Sequence, residues 1–160
     1  EKVCLNSSLK NNLKLVNEIA SKFGSQSVIA SVDVKKIEKE YLVFFENAKK
    51  KSTINLNKYL KDLENAGCGE IYLTSIDKEG TKSGFDIELY NLVQDKINLP
   101  IVAHGGASNI KSFYELFDNT SVSSASAGSS FVYYGKRKAV LINYPNKNDI
   151  EIMMKKYETK

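Results

Sequence analysis

Residues 69–84, GEIYLTSIDKEGTKSG, decide the fold of this chain. The stretch begins with a short apolar run, Ile71–Leu73, and ends in a polar loop of acidic, hydroxyl and glycine residues. A helical pattern starts just after it, so the stretch reads as strand, loop and helix, which is one βα unit. Ordinary turns use the same residue types. Two acidic side chains and two hydroxyls exceed what a connection needs, so we favour a functional loop.

The composition predicts one globular domain. The chain has 160 residues, of which 42% are hydrophobic and 26% are charged, and these proportions are ordinary for a folded domain. An apolar run of the roughly 18 residues that a membrane span requires is missing from the sequence, as is a signal-like segment. The first residue is Glu1 rather than Met, so we expect a processed N-terminus or a piece of a longer chain.

Charge and cysteine content narrow the expected partners. The net charge is +4, and the basic clusters at 49–51 and 136–138 lack an accompanying nucleic-acid motif. We therefore interpret them as solvated faces and predict neither nucleic-acid nor membrane partners, whereas an anionic small molecule suits the charge. Cys4 and Cys68 adjoin apolar segments and are expected to be buried thiols of a cytoplasmic protein. Neither a cofactor nor a metal site is predicted.

Along the chain, short apolar strands alternate with helical patterns about five times. A strand over 27–34 carries Asp33 at its far end, and residues 40–51 suggest a β-hairpin inserted in a loop. Further strands are expected at 2–5, 71–73, 100–103 and 121–127. The helical positions expected to face the core are Leu13, Val16, Ile19, Ala20 and Phe23; Leu56, Tyr59, Leu60, Leu63 and Ala66; Leu89, Leu92, Val93 and Ile97; Ile110, Phe113 and Phe117; and Ile150, Met153, Met154 and Tyr157.

Alternating strands and helices predict an α/β fold with a parallel sheet, either doubly wound or a TIM (β/α)8 barrel. A doubly wound sheet binds phosphate at a GxGxxG turn after its first strand, and that motif does not follow Leu5. Polar residues instead follow every strand, as the C-terminal face of a barrel requires. A complete barrel takes about 250 residues. We therefore expect residues 1–160 to form one partial barrel with its N-terminal strands missing.

Several motifs resemble one barrel family. The segments VDVK (32–35), GEIYLTSIDKEGTKSG (69–84), PIVAHGGAS (100–108) and SAGSSF (126–131) are similar to the cyclase subunit of imidazole glycerol phosphate synthase. The resemblance runs from Glu1 to about Phe131 and corresponds to strands four to eight of that family's barrel. It implies a lyase that takes ammonia from a glutaminase partner. Its bis-phosphorylated substrate, a ribulosyl aminoimidazole carboxamide ribonucleotide, is converted to imidazole glycerol phosphate for histidine biosynthesis.

The resemblance also implies site residues. Asp33 matches an essential acid–base aspartate, and Glu79 occupies a place where the family usually has aspartate. A substrate phosphate would meet Gly80, Thr81, Gly105, Gly106, Gly128 and Ser129, with the other phosphate near Asn6 and Ser7. Thr74 and Ser75 would line the pocket. His104 stands where serine is common, as a substrate contact or as a packing or capping residue. Lys2 and Glu70 match a gate for ammonia, with a structural ion pair as the alternative.

Two other functions stay open at this stage. Residues 133–145, YYGKRKAVLINYP, resemble a paralogous branch that is encoded with surface-polysaccharide genes, in which an ammonia-using barrel serves amidation of a sugar. Alternatively, five βα units with unpaired edges form an inactive fragment or a scaffold that associates with another chain. We expect the isolated 160-residue chain to lack turnover, because the resemblance places a second essential aspartate on strand one.

Overall fold

The computed structural model describes residues 1–135, 137, 139–142 and 144–157. Its centre is a parallel sheet of five strands in sequential order, each hydrogen-bonded to the next. These strands are β1 (Val3–Leu5), β2 (Val28–Ile37), β5 (Glu70–Ser75), β6 (Ile101–His104) and β7 (Ser124–Ser126). Sequential order in one direction is that of a (β/α)8 barrel, whereas a doubly wound sheet reverses its order part-way.

Helices follow the strands along the chain. They are α1 (Lys14–Phe23), α2 (Leu56–Asn65), α3 (Ile87–Val93), α4 (Ile110–Asn119), the short α5 (Ser129–Val132) and α6 (Lys147–Tyr157), with 3-10 turns at Ser7–Leu9 and Ser25–Ser27. The predicted α/β architecture is thereby confirmed, and it is that of a partial barrel. Within the described residues, β7 and β1 are not hydrogen-bonded to each other, so both edges are open. Within the same residues, no helix is long and apolar enough to cross a membrane.

The two faces of the sheet differ sharply in burial. Along β2, Val28, Ala30, Val32 and Val34 are at most 1% exposed, whereas the alternating Ser31 and Asp33 are only half-buried. Successive strand side chains point to opposite faces, so the buried set packs against the helices. We call this helix-covered side the outer face and the opposite side the inner face. The hydrophobic core lies between the sheet and the helices.

The predicted hairpin is present, begins at Glu40 as expected and ends later, at Asn55. Strands β3 (Glu40–Phe45) and β4 (Lys50–Asn55) are antiparallel, and β3 pairs with residues 33–37 of β2. Strand β2 therefore continues past Asp33, which lies within the strand rather than at its end. A further antiparallel pair, β8 (Tyr133–Tyr134) with β9 (Ala139–Val140), follows α5.

Some predicted core positions are exposed instead. Exposed fractions are 58% for Phe23, 43% for Leu92, 38% for Ile150 and 53% for Met154. Phe23 and Leu92 lie on the solvent sides of α1 and α3. Helix α6 packs against the core through Met153 and not through Met154. Cys4 is also exposed, because it lies on the uncovered inner face of β1, whereas Cys68 is buried as expected.

Candidate functional site

Four polar side chains form one row across the inner face. The strand registers place Asp33 opposite Thr74, Thr74 opposite His104, and His104 opposite Ser126. All four stand near the carboxyl ends of their strands, where barrel enzymes carry their active sites. Parallel neighbours are about 4.8 Å apart. Asp33 and His104, two strands apart, are thus separated by roughly 10 Å at the backbone, which leaves room for a small molecule.

Asp33 is held at one end of the row by Asn6. The Asn6 side-chain amide donates to Asp33 Oδ2 at 3.2 Å and to the Ser31 carbonyl at 3.1 Å. Ser7 donates to Asn6 Oδ1 at 3.0 Å and accepts the Glu46 amide of the hairpin turn at 3.0 Å. The segment after β1 therefore fixes the aspartate, and the hairpin fixes that segment. Asn6 and Ser7 therefore lie beside Asp33, and all three are predicted site residues.

Glu79 meets His104 at the other end of the row. His104 Nε2 lies 3.1 Å from Glu79 Oε2, and the exposed side-chain fractions are 16% for the histidine and 42% for the glutamate. Buried Tyr90 fixes the histidine backbone, donating to its carbonyl at 2.8 Å and accepting its amide at 3.0 Å. The carboxylate therefore faces solvent, and the imidazole stands behind it.

Tyr72 and Ser126 complete this cluster, and neither was predicted from the sequence as a site residue. His104 Nδ1 lies 2.9 Å from Ser126 Oγ, which donates to Tyr72 Oη at 2.8 Å. The Tyr72 and His104 rings stack with centroids 5.1 Å apart. Burial is the main cause that raises the pKa of Tyr72, so its phenol stays protonated. Strand alternation was the available signal, because Tyr72 shares a face with Thr74 two residues later.

Three glycine-containing loops meet beside the row. Gly105 and Gly106 have φ of +100° and +95°, a region that strongly favours glycine. Gly106 accepts the Gly84 amide at 2.8 Å, which joins the β6–α4 loop to the end of the β5–α3 loop. Lys82 of the latter loop donates to the Tyr133 carbonyl just after α5. Five backbone amides of the predicted phosphate site donate to no protein acceptor within the described part of the chain. They belong to Gly80, Gly105, Gly106, Gly128 and Ser129. They are therefore available to an anion.

Two predicted hydroxyls are already engaged. Thr81 Oγ1 donates to the Lys78 carbonyl at 2.7 Å within its own loop. Ser75 is 1% exposed and donates to Asp86 Oδ2 at 2.8 Å on the outer face. The expectation that the Ser75 side chain lines the pocket is corrected by strand alternation, since Thr74 points inward and its neighbour points outward. Thr74 does lie on the inner face.

Lys2 and Glu70 lie at the opposite end of the strands. Lys2 Nζ is 2.6 Å from Glu70 Oε2, and the exposed side-chain fractions are 49% and 17%. Glu70 begins β5, and the inward alternation Glu70, Tyr72, Thr74 connects this ion pair to the polar row. The two predicted gate residues are thus in contact, about four residues below the row along β5.

Comparison with known proteins settles the family. Residues 1–138 match the family described as "Histidine biosynthesis protein". The chain belongs to this family. A Pseudomonas aeruginosa protein, provisionally named as imidazole glycerol phosphate synthase subunit hisF2, is 41% identical over 153 residues. The HisF subunits of imidazole glycerol phosphate synthase from Natranaerobius thermophilus and Sulfolobus acidocaldarius are each 36% identical, over 154 and 155 residues.

These alignments cover nearly all of this chain but only part of each relative. Each alignment covers 95–96% of this chain and 61% of the relative. The chain thus spans about three-fifths of the length of the relatives it matches. The resemblance drawn from the four sequence motifs is confirmed.

Proposed function

We propose that this chain carries the cyclase active site of an imidazole glycerol phosphate synthase. The observation that carries the proposal is the inner-face row, with Asp33 at one end and the Glu79–His104 pair at the other. The family relatives are named as subunits of this synthase. In this function the chain uses ammonia to convert the ribulosyl aminoimidazole carboxamide ribonucleotide into imidazole glycerol phosphate.

The two ends of the row suit the acid–base steps of that reaction. Imine formation, ring closure and cleavage each require a proton to be added or removed at the substrate. Asp33 is oriented by Asn6, and the exposed Glu79 contacts His104, whose backbone lies roughly 10 Å across the sheet from that of Asp33. A substrate lying over Thr74 between them meets a carboxylate on each side. We assign general acid–base work to both carboxylates.

The unpaired amides of the glycine loops support a phosphate site beside Glu79. Backbone N–H groups that lack a protein acceptor bind oxyanions well, and glycine permits the close approach. Gly80, Gly105, Gly106, Gly128 and Ser129 supply such groups. The second phosphate is assigned to the neighbourhood of Asn6 and Ser7, at the opposite end of the row. The net charge of +4 favours an anionic substrate at both places.

We assign the Lys2–Glu70 pair to the entry of ammonia, and a glutaminase subunit to the supply of it. The pair lies at the amino ends of the strands, opposite the row, and its 2.6 Å contact is one that a moving lysine can break. Both cysteines are unpaired, which supports the expectation of a reducing compartment such as the cytoplasm.

The proposal is tested by ammonia-dependent turnover of the ribulosyl substrate by a complete barrel that contains these 160 residues. We expect Asp33→Asn to lower kcat by about 10²- to 10⁴-fold, the usual contribution of a general acid or base. Asp62→Asn is the matched control, because Asp62 forms an ion pair with Lys58 on the solvent-facing side of α2, away from the row. Equal activity of the Asp33 variant and the control would overturn the assignment.

A second candidate is ammonia-dependent amidation of a sugar derivative in surface polysaccharide synthesis. The Glu79–His104 contact favours it, because the resemblance leads us to expect aspartate and serine at these two positions. Turnover of a sugar substrate, without turnover of the ribulosyl nucleotide, would establish this candidate over the first.

A third candidate is an inactive scaffold. The open edges of β1 and β7 support it, since each exposes unpaired backbone groups of the described sheet. We infer that the 160 residues alone lack cyclase turnover and associate through these edges. Normal turnover by the purified chain, or a monodisperse monomer in light scattering, would contradict this inference.

A further inference from the structure

Glu79, His104, Ser126 and Tyr72 form one hydrogen-bonded chain on the inner face, which we call the relay. Consecutive polar atoms are 3.1, 2.9 and 2.8 Å apart. Glu79 is its exposed end, whereas the other three members are half-buried between strands β5, β6 and β7. His104 is also the only histidine of the sequence. The relay thus presents a carboxylate to the pocket with an imidazole directly behind it.

The donor count along the relay restricts the protonation of His104. A serine hydroxyl has one proton, and the acceptors of Ser126 are Tyr72 Oη at 2.8 Å and, more weakly, the Ala103 carbonyl at 3.4 Å. The contact between Ser126 Oγ and His104 Nδ1 then requires the hydrogen on Nδ1. An Nε2 without a proton would place its lone pair 3.1 Å from a carboxylate oxygen, which is repulsive. One further proton must therefore lie between Nε2 and Glu79.

We propose that Tyr72 and Ser126 are positioning residues that hold His104 protonated on Nδ1, so that the Glu79–His104 pair carries a transferable proton for the substrate. The inference rests on the proposed acid–base role of Glu79 and deepens it. His104 acts through Glu79 rather than by direct contact with substrate.

The transfer balances without another reactant. On donation, the proton leaves a Glu79 oxygen for a substrate atom, and the bonding electron pair stays on the carboxylate. Nε2 is then left unprotonated beside that carboxylate, while Nδ1 keeps its hydrogen. The resulting repulsion favours return of a proton from the substrate at a later step. The same pair thus serves as acid and then as base.

Nitrogen NMR of the single imidazole tests the inference in the chain itself. The side-chain ¹⁵N shifts distinguish the two neutral tautomers and the imidazolium. We expect the wild type to carry hydrogen on Nδ1, as imidazolium or as the Nδ1–H tautomer. Tyr72→Phe removes the acceptor for Ser126 and keeps the stacked ring. The hydroxyl then donates to Nδ1, which at 2.9 Å is a better placed acceptor than the Ala103 carbonyl at 3.4 Å, and His104 switches to the Nε2–H tautomer.

Two further variants keep the test decisive. Ser126→Ala removes the acceptor for Nδ1–H, so the same switch is expected even if Tyr72→Phe does not fold. Tyr134→Phe removes the hydroxyl of a tyrosine that is 57% exposed and is not part of the relay, and it should leave the imidazole shifts unchanged. A wild-type Nε2–H tautomer, or identical shifts in Tyr72→Phe and Tyr134→Phe, would overturn the inference.

Activity separates this inference from the proposed function. In a complete barrel that contains these residues, and with the ribulosyl substrate, Tyr72→Phe should lower kcat at least about tenfold with little change in KM, since only proton transfer is affected. A tautomer switch in a protein that does not turn over this substrate would reject the proposed function and still support the relay. Turnover with unchanged kcat in Tyr72→Phe would support the function and overturn the relay.

Discussion

At the residue scale, Gly106 shows how the site depends on a single missing side chain. A Cβ at this position would lie 2.0 Å from the Gly84 carbonyl oxygen, and φ is +95°. Both the contact and the backbone conformation exclude other residues. Because this approach joins the β5–α3 loop to the β6–α4 loop, it brings Glu79 to His104.

We predict that Gly106→Ala destabilises the chain by about 3 kcal/mol, through steric overlap with backbone and an unfavourable φ. Gly80→Ala is the matched control, since φ is +74° but no atom lies within 4 Å of the added Cβ. The control should cost only about 1 kcal/mol. Urea unfolding measures both values, and equal costs would show that φ alone constrains Gly106.

The sequence indicated three of the four residues of the row but not Ser126. Asp33, Thr74 and His104 were identifiable because each is a polar residue following an apolar strand. Ser75 was assigned to the pocket although alternation turns it outward to Asp86. Tyr72 and Ser126 were missed, because an aromatic within an apolar run and a serine within a serine-rich segment resemble core and loop. Their roles depend on strand registers, which pair residues distant in sequence.

At the element scale, Asp86 fixes the start of α3 and attaches it to the sheet. Its carboxylate accepts the Leu89 amide at 3.2 Å, the Ser75 hydroxyl at 2.8 Å and the Tyr41 hydroxyl at 2.8 Å. Asp86 is 8% exposed. One side chain thus caps a helix and joins it to strands β5 and β3.

We predict that Asp86→Ala costs about 3 kcal/mol, because it removes the cap and leaves two buried hydroxyls without their acceptor. Asn109→Ala is the control, since Asn109 caps α4 through the Lys111 amide but has an exposed side chain without such partners. It should cost about 1 kcal/mol. Thermal or urea unfolding measures the loss of stability in both variants. Similar losses would show that Asp86 acts only as a helix cap.

Element order was predictable, whereas element ends were not. The apolar periodicity placed every main helix and strand, but α3 spans only Ile87–Val93, whereas the pattern of expected core positions continues to Ile97. Asp86 sets the first of these ends through tertiary contacts. Likewise β2 extends to Ile37 because β3 pairs with it. The ends of these elements depend on partners elsewhere in the chain, which the local sequence pattern does not reveal.

At the scale of the whole molecule, buried tyrosines control stability in alkali. Tyr59 and Tyr90 are 2% and 0% exposed, and burial raises both pKa values well above the ordinary 10.0. The folded state therefore retains protons that the unfolded state releases. This stabilisation is fully present below pH 10 and is lost progressively as the pH rises above it.

We predict that Tyr59 and Tyr90 each lower the unfolding free energy by about 1.4 kcal/mol per pH unit above pH 10. Tyr41, whose pKa is also raised well above 10.0 by burial, steepens the fall further. Tyr59→Phe should reduce the slope by about 1.4 kcal/mol per pH unit. At pH 8 it should also stabilise by about 1 kcal/mol, because Tyr59 Oη is buried without a partner among the described residues. Urea unfolding at pH 8 and 11 measures both effects, and an unchanged slope in the variant would contradict the prediction.

The division of the sheet into two unlike faces has a consequence for how the barrel is completed. The core is assembled wholly between strands and helices, and the inner face contributes polar or partly buried residues such as Ser31, Thr74 and Ser124. Closing the barrel therefore adds chemistry to a unit whose interior is already filled. We expect such a unit to keep its packing when it is joined to a different complementary half, because the surface that it offers to that half is not its core.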